Sequence, residues 1–257
     1  MRQAAEPNEL FSLDGLVGIV TGASSGLGAR AAGVLCRAGA RVVLAARRRE
    51  RLEQVARDCP GSLAVPCDVL SAEQRAQLVD TAVERFGRVD ILVNSAGAAR
   101  VAPALEQGVD EFAEAVSLNL TAPFALCREV APHMIAAGGG VVVNIASVYG
   151  LVASGSLPQA GYAGSKGGVV NLTRELAAQW ASAGIRVNAL CPGWFYSEMT
   201  ASMIDDEKGR AWIERRTPMR RVGEPGELDG ALLFLASAAS SYVTGVALPV
   251  DGGYTAV

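Results

Sequence analysis

The chain has 257 residues, 50% of them apolar and 19% charged, and its 23 basic and 26 acidic side chains leave a net charge of −3. That apolar content suffices for a large core and excludes a disordered chain, while the missing basic excess argues against nucleic acid as a partner. No apolar run approaches the roughly 20 residues that cross a bilayer, so no membrane association is expected. In chain order, residues 1–12 read as an N-terminal extension, because Met1–Leu10 holds Arg2, Glu6, Pro7 and Glu9 and lacks the apolar stretch of a signal peptide. Short, nearly all-apolar runs follow at Val17–Thr21, Arg41–Ala45, Leu63–Pro66, Ile91–Asn94, Val141–Ile145, Arg186–Cys191 and Val246–Val250. Such runs suit parallel strands covered on both faces. Between them, helices are expected over Leu27–Ala38, Arg48–Asp58, Ala72–Phe86, Val109–Ala137, Tyr162–Ala183 and Glu227–Ala236. The alternation predicts an α/β protein with a parallel sheet and right-handed crossovers, folded as a single domain over residues 1–257. Residues 193–226 break the rhythm, offering no strand and at most a short helix near Asp206–Arg216. An excursion of that length is either a substrate lid or a plain structural detour.

Cys36, Cys59, Cys67, Cys127 and Cys191 are odd in number, widely spaced and free of any CxxC, and His133 is the single histidine. A His/Cys metal site is therefore not expected, and the thiols read as reduced, mostly buried side chains of a cytoplasmic protein. His133, near a helix end, reads as a surface or capping residue.

The first strand runs into Thr21-Gly22-Ala23-Ser24-Ser25-Gly26-Leu27-Gly28, and a helix follows. Glycines there permit a tight turn and a close backbone approach to a pyrophosphate, and the helix N-terminus offers free N–H groups to the anion. Gly22, Ser24, Ser25, Gly26, Leu27 and Gly28 are thus candidate dinucleotide-binding residues. In such sites an acidic residue about 20 positions further on holds the ribose of NAD. Here that point reads Ala45-Ala46-Arg47-Arg48-Arg49, with no carboxylate before Glu50. Arg47 and Arg48 suit a 2′-phosphate, and cations at a helix N-terminus oppose its dipole, which favours an external anion over a merely solvated basic helix start. NADP(H) is favoured, with NAD(H) still possible.

Strand five ends at Asn144-Ile145-Ala146-Ser147, and a loop leads to Tyr162-Ala163-Gly164-Ser165-Lys166. Residues four apart share a helical face. An ammonium beside a phenol is expected to lower the Tyr162 pKa toward neutrality, making it a proton donor to a carbonyl or an acceptor from an alcohol. Taken alone, a YxxxK spacing is more often an exposed pair with no chemistry.

Together, Thr21–Gly28, Cys67-Asp68-Val69, Asn94-Ser95-Ala96-Gly97, Asn119, Ser147, Tyr162 with Lys166, Pro192-Gly193 and Asp251-Gly252-Gly253 resemble the short-chain dehydrogenase/reductase superfamily, from Leu16 to Gly253. The resemblance implies a doubly wound, Rossmann-type parallel sheet of about seven strands with helices on both faces. It also implies that Asn119, Ser147, Tyr162 and Lys166 act together. Ser147 would hydrogen-bond the substrate oxygen, Tyr162 transfer the proton, Lys166 lower the Tyr162 pKa and hold the nicotinamide ribose, and Asn119 hold a water joining Lys166 to solvent. Asp68 and Val69 would meet the adenine, Asn94, Ala96 and Gly97 line the adenosine side, and Pro192, Gly193 and Ser197 contact the nicotinamide side. Pro123 adds a physical argument for Asn119: lacking an N–H, it leaves the carbonyl of residue 119 without its usual helical donor, so a bend is expected there.

The sequence departs from the family pattern at Ser95, usually asparagine, at Ser25, where NADP-dependent relatives often carry a basic residue, and at Ser197, usually threonine. The Ser147–Tyr162 interval is longer than usual, which makes Ser154 and Ser156 rivals of Ser147. The resemblance implies an oxidoreductase interconverting a ketone and a secondary alcohol. Trp194, Phe195, Tyr196, Met199, Met203, Ile204 and Trp212 form either an apolar wall over the site, favouring an acyl, alicyclic or aromatic carbonyl over a small polar one, or simple packing of the lid. The main reading is an NADP(H)-dependent carbonyl or 3-oxoacyl reductase. The alternatives are an NAD-dependent polyol, sugar-acid or alicyclic alcohol dehydrogenase and, from another class, a non-catalytic nucleotide sensor. Val169, Leu172, Leu176 and Trp180 fit either core burial or the homotetramer or homodimer interface that the resemblance implies.

Overall fold

The computed structural model describes residues 6–257; the remainder of the expected extension, residues 1–5, lies outside them. Seven strands, β1 (Val17–Thr21), β2 (Arg41–Ala46), β3 (Leu63–Pro66), β4 (Ile91–Asn94), β5 (Gly140–Ile145), β6 (Ile185–Pro192) and β7 (Ala247–Val250), form one sheet in the order β3-β2-β1-β4-β5-β6-β7. Every pairing is parallel. The helices are α1 (Pro7–Leu10), α2 (Gly26–Arg37), α3 (Arg49–Arg57), α4 (Ala72–Phe86), α5 (Val109–Val116), α6 (Ala122–Ala136), α7 (Ala160–Trp180), α8 (Ala201–Ile204), α9 (Glu207–Arg216) and α10 (Asp229–Ala236). Among the described residues no helix is long and apolar enough to cross a membrane.

The apolar runs become central strands because both of their faces are covered. Val20, Val42, Leu44, Ile91 and Val93 face one core with α2 and α10, while Ile19, Val43, Leu92, Val142 and Val187 face another with α4, α6 and α7. Burying such side chains contributes about 1.5–3 kcal/mol each. Val169, Leu172, Leu176 and Trp180 on α7 are spent on these inner layers, so core burial alone explains their spacing. Among the exposed apolar side chains, Phe112 lies on α5 and Phe124 and Ile135 on α6.

The helix expected over Val109–Ala137 is not uniform. Residues Ser117–Thr121 widen into a π turn in which the Ala122 N–H reaches back to the Ser117 carbonyl. Pro123 explains it: with one amide donor missing, the chain shifts its hydrogen bonding outward by one residue. The turn carries Asn119 into the interior, where it is 1% exposed.

Candidate active site

The C-terminal ends of β1 to β6 open into a cleft of about 620 Å³. It sits where the strand order reverses between β1 and β4, the position at which open parallel sheets take ligands. Its walls include Gly22, Ser24, Ser25, Gly26, Leu27 and Gly28 after β1, and Ala46, Arg47 and Arg48 after β2. Asp68 and Val69 follow β3, Ala96 and Gly97 follow β4, Ser147, Tyr162 and Lys166 stand on the β5–α7 side, and Pro192, Gly193 and Ser197 follow β6.

The glycine turn is shaped for close backbone approach. Gly22 has φ +67°, and an added Cβ would lie 2.8 Å from the Ala96 nitrogen. The Thr21 hydroxyl accepts the N–H groups of Ser95 and Ala96, each at 3.1 Å, tying the ends of β1 and β4 together. A Cβ on Gly28 would strike the Gly22 carbonyl and sit 3.2 Å from that of Thr21. Gly28→Ala is therefore expected to cost about 1–3 kcal/mol of stability and to abolish dinucleotide binding. Thermal denaturation and a binding titration check both; unchanged affinity would mean that the turn is not the phosphate seat.

Asn94 and Asn119 do not stand on the cleft surface. The Asn94 side chain is 3% exposed and turns beneath the wall, donating to Asn144 Oδ1 at 2.9 Å and to Cys127 Sγ at 3.3 Å. Asn144 in turn donates to the Thr173 hydroxyl at 3.0 Å. The cleft wall after β4 is formed by its neighbours Ser95, Ala96 and Gly97, while the Asn94 side chain is taken up by Asn144 and Cys127. The Asn119 amide is engaged with the backbone of Ala98, accepting its N–H at 3.0 Å and donating to its carbonyl at 2.9 Å, and also donates to Ser165 Oγ at 3.1 Å. A Cβ on Gly97 would lie 3.0 Å from Asn119 Oδ1 and 3.6 Å from Lys166 Nζ, so the π turn, Gly97 and Lys166 meet at one point.

Ser147 caps the short turn Val148–Gly150 by accepting the Tyr149 N–H at 3.1 Å, and its hydroxyl faces Tyr162. Ser154 and Ser156 stand outside the cleft. The Lys166 ammonium lies 5.7 Å from the centre of the Tyr162 ring and donates to the Ile145 carbonyl at 2.6 Å. The electrostatics differ from the sequence expectation. Burial raises the pKa of the half-buried Tyr162, with the Ser147 hydroxyl opposing it. Burial also lowers Lys166 to about 8. Proximity alone predicts acidification of the phenol, but desolvation disfavours both charged forms and is the larger effect.

Sequence reasoning misses two contributors. Cys191 at the end of β6 is fully buried beside Lys166, and burial pushes its thiol up to about 11. Glu198 sits across the cleft from α3 and meets Arg48 Nη2 at 3.0 Å; no local pattern signals a pair so distant in sequence. His133 lies in the last turn of α6, outside the cleft, and the described residues contain no cluster of three or more His, Cys, Asp or Glu that could hold a metal ion.

Residues 193–226 contain α8 and α9, and Phe195 pairs with Gly223 across the segment's ends. Trp194, Ile204, Trp212 and Ile213 pack on one another and on Tyr149 and Tyr254, with Trp194 and Trp212 edge to face at 6.0 Å. From this segment only Gly193, Phe195, Ser197, Glu198, Met199 and Thr200 line the cleft. Trp194 and the partly buried Trp212 pack within this cluster and do not line the cleft.

Comparison with known proteins agrees with this geometry. A family described as enoyl-(acyl carrier protein) reductase matches residues 22–255. The chain is 41% identical to a galactitol 2-dehydrogenase (L-tagatose-forming) of Cereibacter sphaeroides, covering 96% of this chain and 97% of that one. It is also 41% identical to a gluconate 5-dehydrogenase of Gluconobacter oxydans, again over 96% and 97%. A crystal structure of a gluconate 5-dehydrogenase from Burkholderia cenocepacia, in complex with NADP and tartrate, superposes with a TM-score of 0.92 at 37% identity, covering 98% of this chain and 100% of that one.

Proposed function

The chain belongs to the short-chain dehydrogenase/reductase family, and from that premise we propose that it is an NADP(H)-dependent dehydrogenase of a polyol or sugar acid. The family carries the coarser activity, an oxidoreductase of CH–OH groups that uses NAD(P). The observation that carries the finer reading is the meeting of Ser147, Tyr162 and Lys166 at the mouth of a cleft whose far end holds Arg47 and Arg48. The glycine turn Gly22–Gly28 with Arg47 and Arg48 would hold NADP+, which would supply the acceptor for the hydride of the alcohol carbon. Tyr162 takes the hydroxyl proton through its phenolic oxygen, Ser147 donates a hydrogen bond to the substrate oxygen, and Lys166 supplies a cationic donor beside the phenol.

A polyol or sugar-acid substrate replaces the 3-oxoacyl expectation. Two of the relatives at 41% identity are named for galactitol and gluconate, and neither lid tryptophan lines the cleft. Residues 193–226 act as the lid in this reading, with Phe195, Met199 and Thr200 as its cleft-facing edge. The exposed Phe112 and Phe124 suit an interface between copies in a homodimer or homotetramer, and the five unpaired thiols suit a reducing, cytoplasmic setting.

Initial rates with galactitol, gluconate and a 3-oxoacyl thioester test the substrate class. Turnover of a hydroxylated substrate at least tenfold above that of the thioester, in kcat/KM, is expected; the reverse order would restore the acyl reading. For the cofactor, Arg47→Ala is expected to raise the KM for NADPH about tenfold with little change for NADH, since a charge-assisted contact to phosphate contributes about 1.5–3 kcal/mol. Equal effects on both cofactors would contradict a 2′-phosphate contact.

A further inference from the structure

The arginine nearest the glycine turn already has an anionic partner. Arg48 Nη2 donates to Ser25 Oγ at 2.7 Å and to Glu198 Oε2 at 3.0 Å, and its Nε and Nη2 reach Ser24 Oγ at 3.3 and 3.2 Å. A second cation, Arg51 Nη1, lies 3.7 Å from Glu198 Oε1. Ser24, Ser25, Arg47, Arg48 and Glu198 all line the same end of the cleft. Arg48, Arg51 and the Ser25 hydroxyl gather at one carboxylate, with Ser24 bracing Arg48 from behind, so the protein fills a small anion pocket with its own side chain. The hydrogen bonds from Arg48 and Ser25 hold the Glu198 carboxyl below its usual range, so it is an anion at neutral pH.

Glu198 belongs to the segment after β6, on the opposite wall from α3. The two walls also touch where Gly26 faces Ser197, the space for a Gly26 Cβ ending 3.4 Å from the Ser197 Cβ. Ser197 is held in turn by Thr200, whose hydroxyl receives the Ser197 N–H at 3.0 Å and donates to the Phe195 carbonyl at 2.6 Å. The carboxylate is thus fixed to the base of the 193–226 segment and reaches over the cleft to the pocket where a 2′-phosphate is expected.

We propose that Glu198 is a specificity-determining residue that competes with the cofactor's 2′-phosphate for Arg48 and Arg51, so that it tempers the preference for NADP(H) over NAD(H). The proposal rests on the NADP(H) reading given above. A cofactor bearing the phosphate must displace the carboxylate from Arg48 and meets its charge nearby, whereas NAD(H) brings no anion to that pocket and leaves the Arg48–Glu198 pair closed. Like charges sharing a small set of cations repel, and the effect is screened by salt because the pair is solvent-exposed.

The test compares kcat/KM for NADPH and NADH in the wild type, Glu198→Gln and Glu198→Asp, with the melting temperature of each confirming a folded protein. Glu198→Gln is expected to raise the NADPH:NADH ratio about three- to tenfold at low ionic strength, and the gain is expected to shrink in about 0.5 M salt. Glu198→Asp keeps the charge and is expected to stay within about twofold of the wild-type ratio. Titration with 2′-AMP is expected to show tighter binding to Glu198→Gln than to wild type, with 5′-AMP unchanged. If both cofactors shift together, Glu198 only braces the loop and the proposal fails. If the wild type prefers NADPH but Glu198→Gln leaves the ratio unchanged, the proposal fails while the NADP(H) reading stands. If the wild type distinguishes neither NADPH from NADH nor 2′-AMP from 5′-AMP, the NADP(H) reading falls and the proposal with it.

Discussion

Tyr162→Phe is expected to lower kcat about a thousandfold while cofactor affinity stays within about threefold of wild type. The phenolic oxygen is the one atom removed, and it faces the Ser147 hydroxyl. Alcohol oxidation needs the phenolate, yet burial raises the Tyr162 pKa and the causes opposing it are weaker than desolvation. Oxidation should therefore quicken as pH rises into the alkaline range, whereas ketone reduction, which needs the protonated phenol, should be sustained at neutral pH. Initial rates of both directions across pH, on wild type and variant, check this. A variant with wild-type kcat would remove Tyr162 from the reaction, and an oxidation rate falling with pH would remove the phenolate from it.

Lys166→Met is expected to abolish turnover and yet to stabilise the fold at neutral pH. Lys166 is 6% exposed, and burial lowers its pKa from 10.5 to about 8. Below pH 8 the buried amine is charged in the folded protein and in the unfolded chain alike, and the folded state bears the desolvation cost. Between pH 8 and 10.5 the unfolded chain binds more protons, so the stability of the wild type rises with pH through that window. The cost at pH 7 is on the order of 3 kcal/mol, offset in part by the bond to the Ile145 carbonyl that methionine forfeits. A gain of about 1–2 kcal/mol is expected at pH 7, or several degrees in melting temperature, falling through zero and turning into a loss of about 1–2 kcal/mol by pH 10.5, where only the forfeited Ile145 bond remains. Denaturation of both proteins across that range is the check. A variant less stable than wild type at pH 7 would show that Lys166 is held for its packing. A stabilised variant retaining turnover would show that its charge is not used.

These effects depend on burial, which separates what the sequence discloses from what it withholds. The strands are legible because Val17–Thr21, Ile91–Asn94 and their companions are short, apolar on both faces and alternate with helical stretches, a pattern that suits central parallel strands. The glycine turn is legible because Gly22 and Gly28 stand where a Cβ has no room. Spacing reveals that Tyr162 and Lys166 share a helical face, but spacing carries no information about solvent, and desolvation reverses the expected sign of the Tyr162 shift. Asn94 is recognisable as part of a motif, whereas the direction of its side chain follows from the register between β4 and β5, where Asn94 pairs with Asn144. Pro123 announces an interrupted helix, but the inward turn of Asn119 is visible only in its bonds to Ala98 and Ser165. The four-residue helix α8 is too short to leave a period. The pair Arg48–Glu198 spans 150 residues, a contact that exists only once the sheet brings the ends of β2 and β6 to the same edge.

The central claim is that this cleft carries out hydride and proton transfer and does not merely sense a nucleotide. The most direct measurement is the appearance of reduced nicotinamide when the protein loaded with NADP+ is mixed with galactitol, gluconate or another secondary alcohol of that class. The account predicts reduction of the nicotinamide in the wild type and its loss in Tyr162→Phe at equal cofactor occupancy. A fully loaded wild-type protein that reduces no nicotinamide with any such alcohol, and oxidises none with the matching ketones, would contradict it.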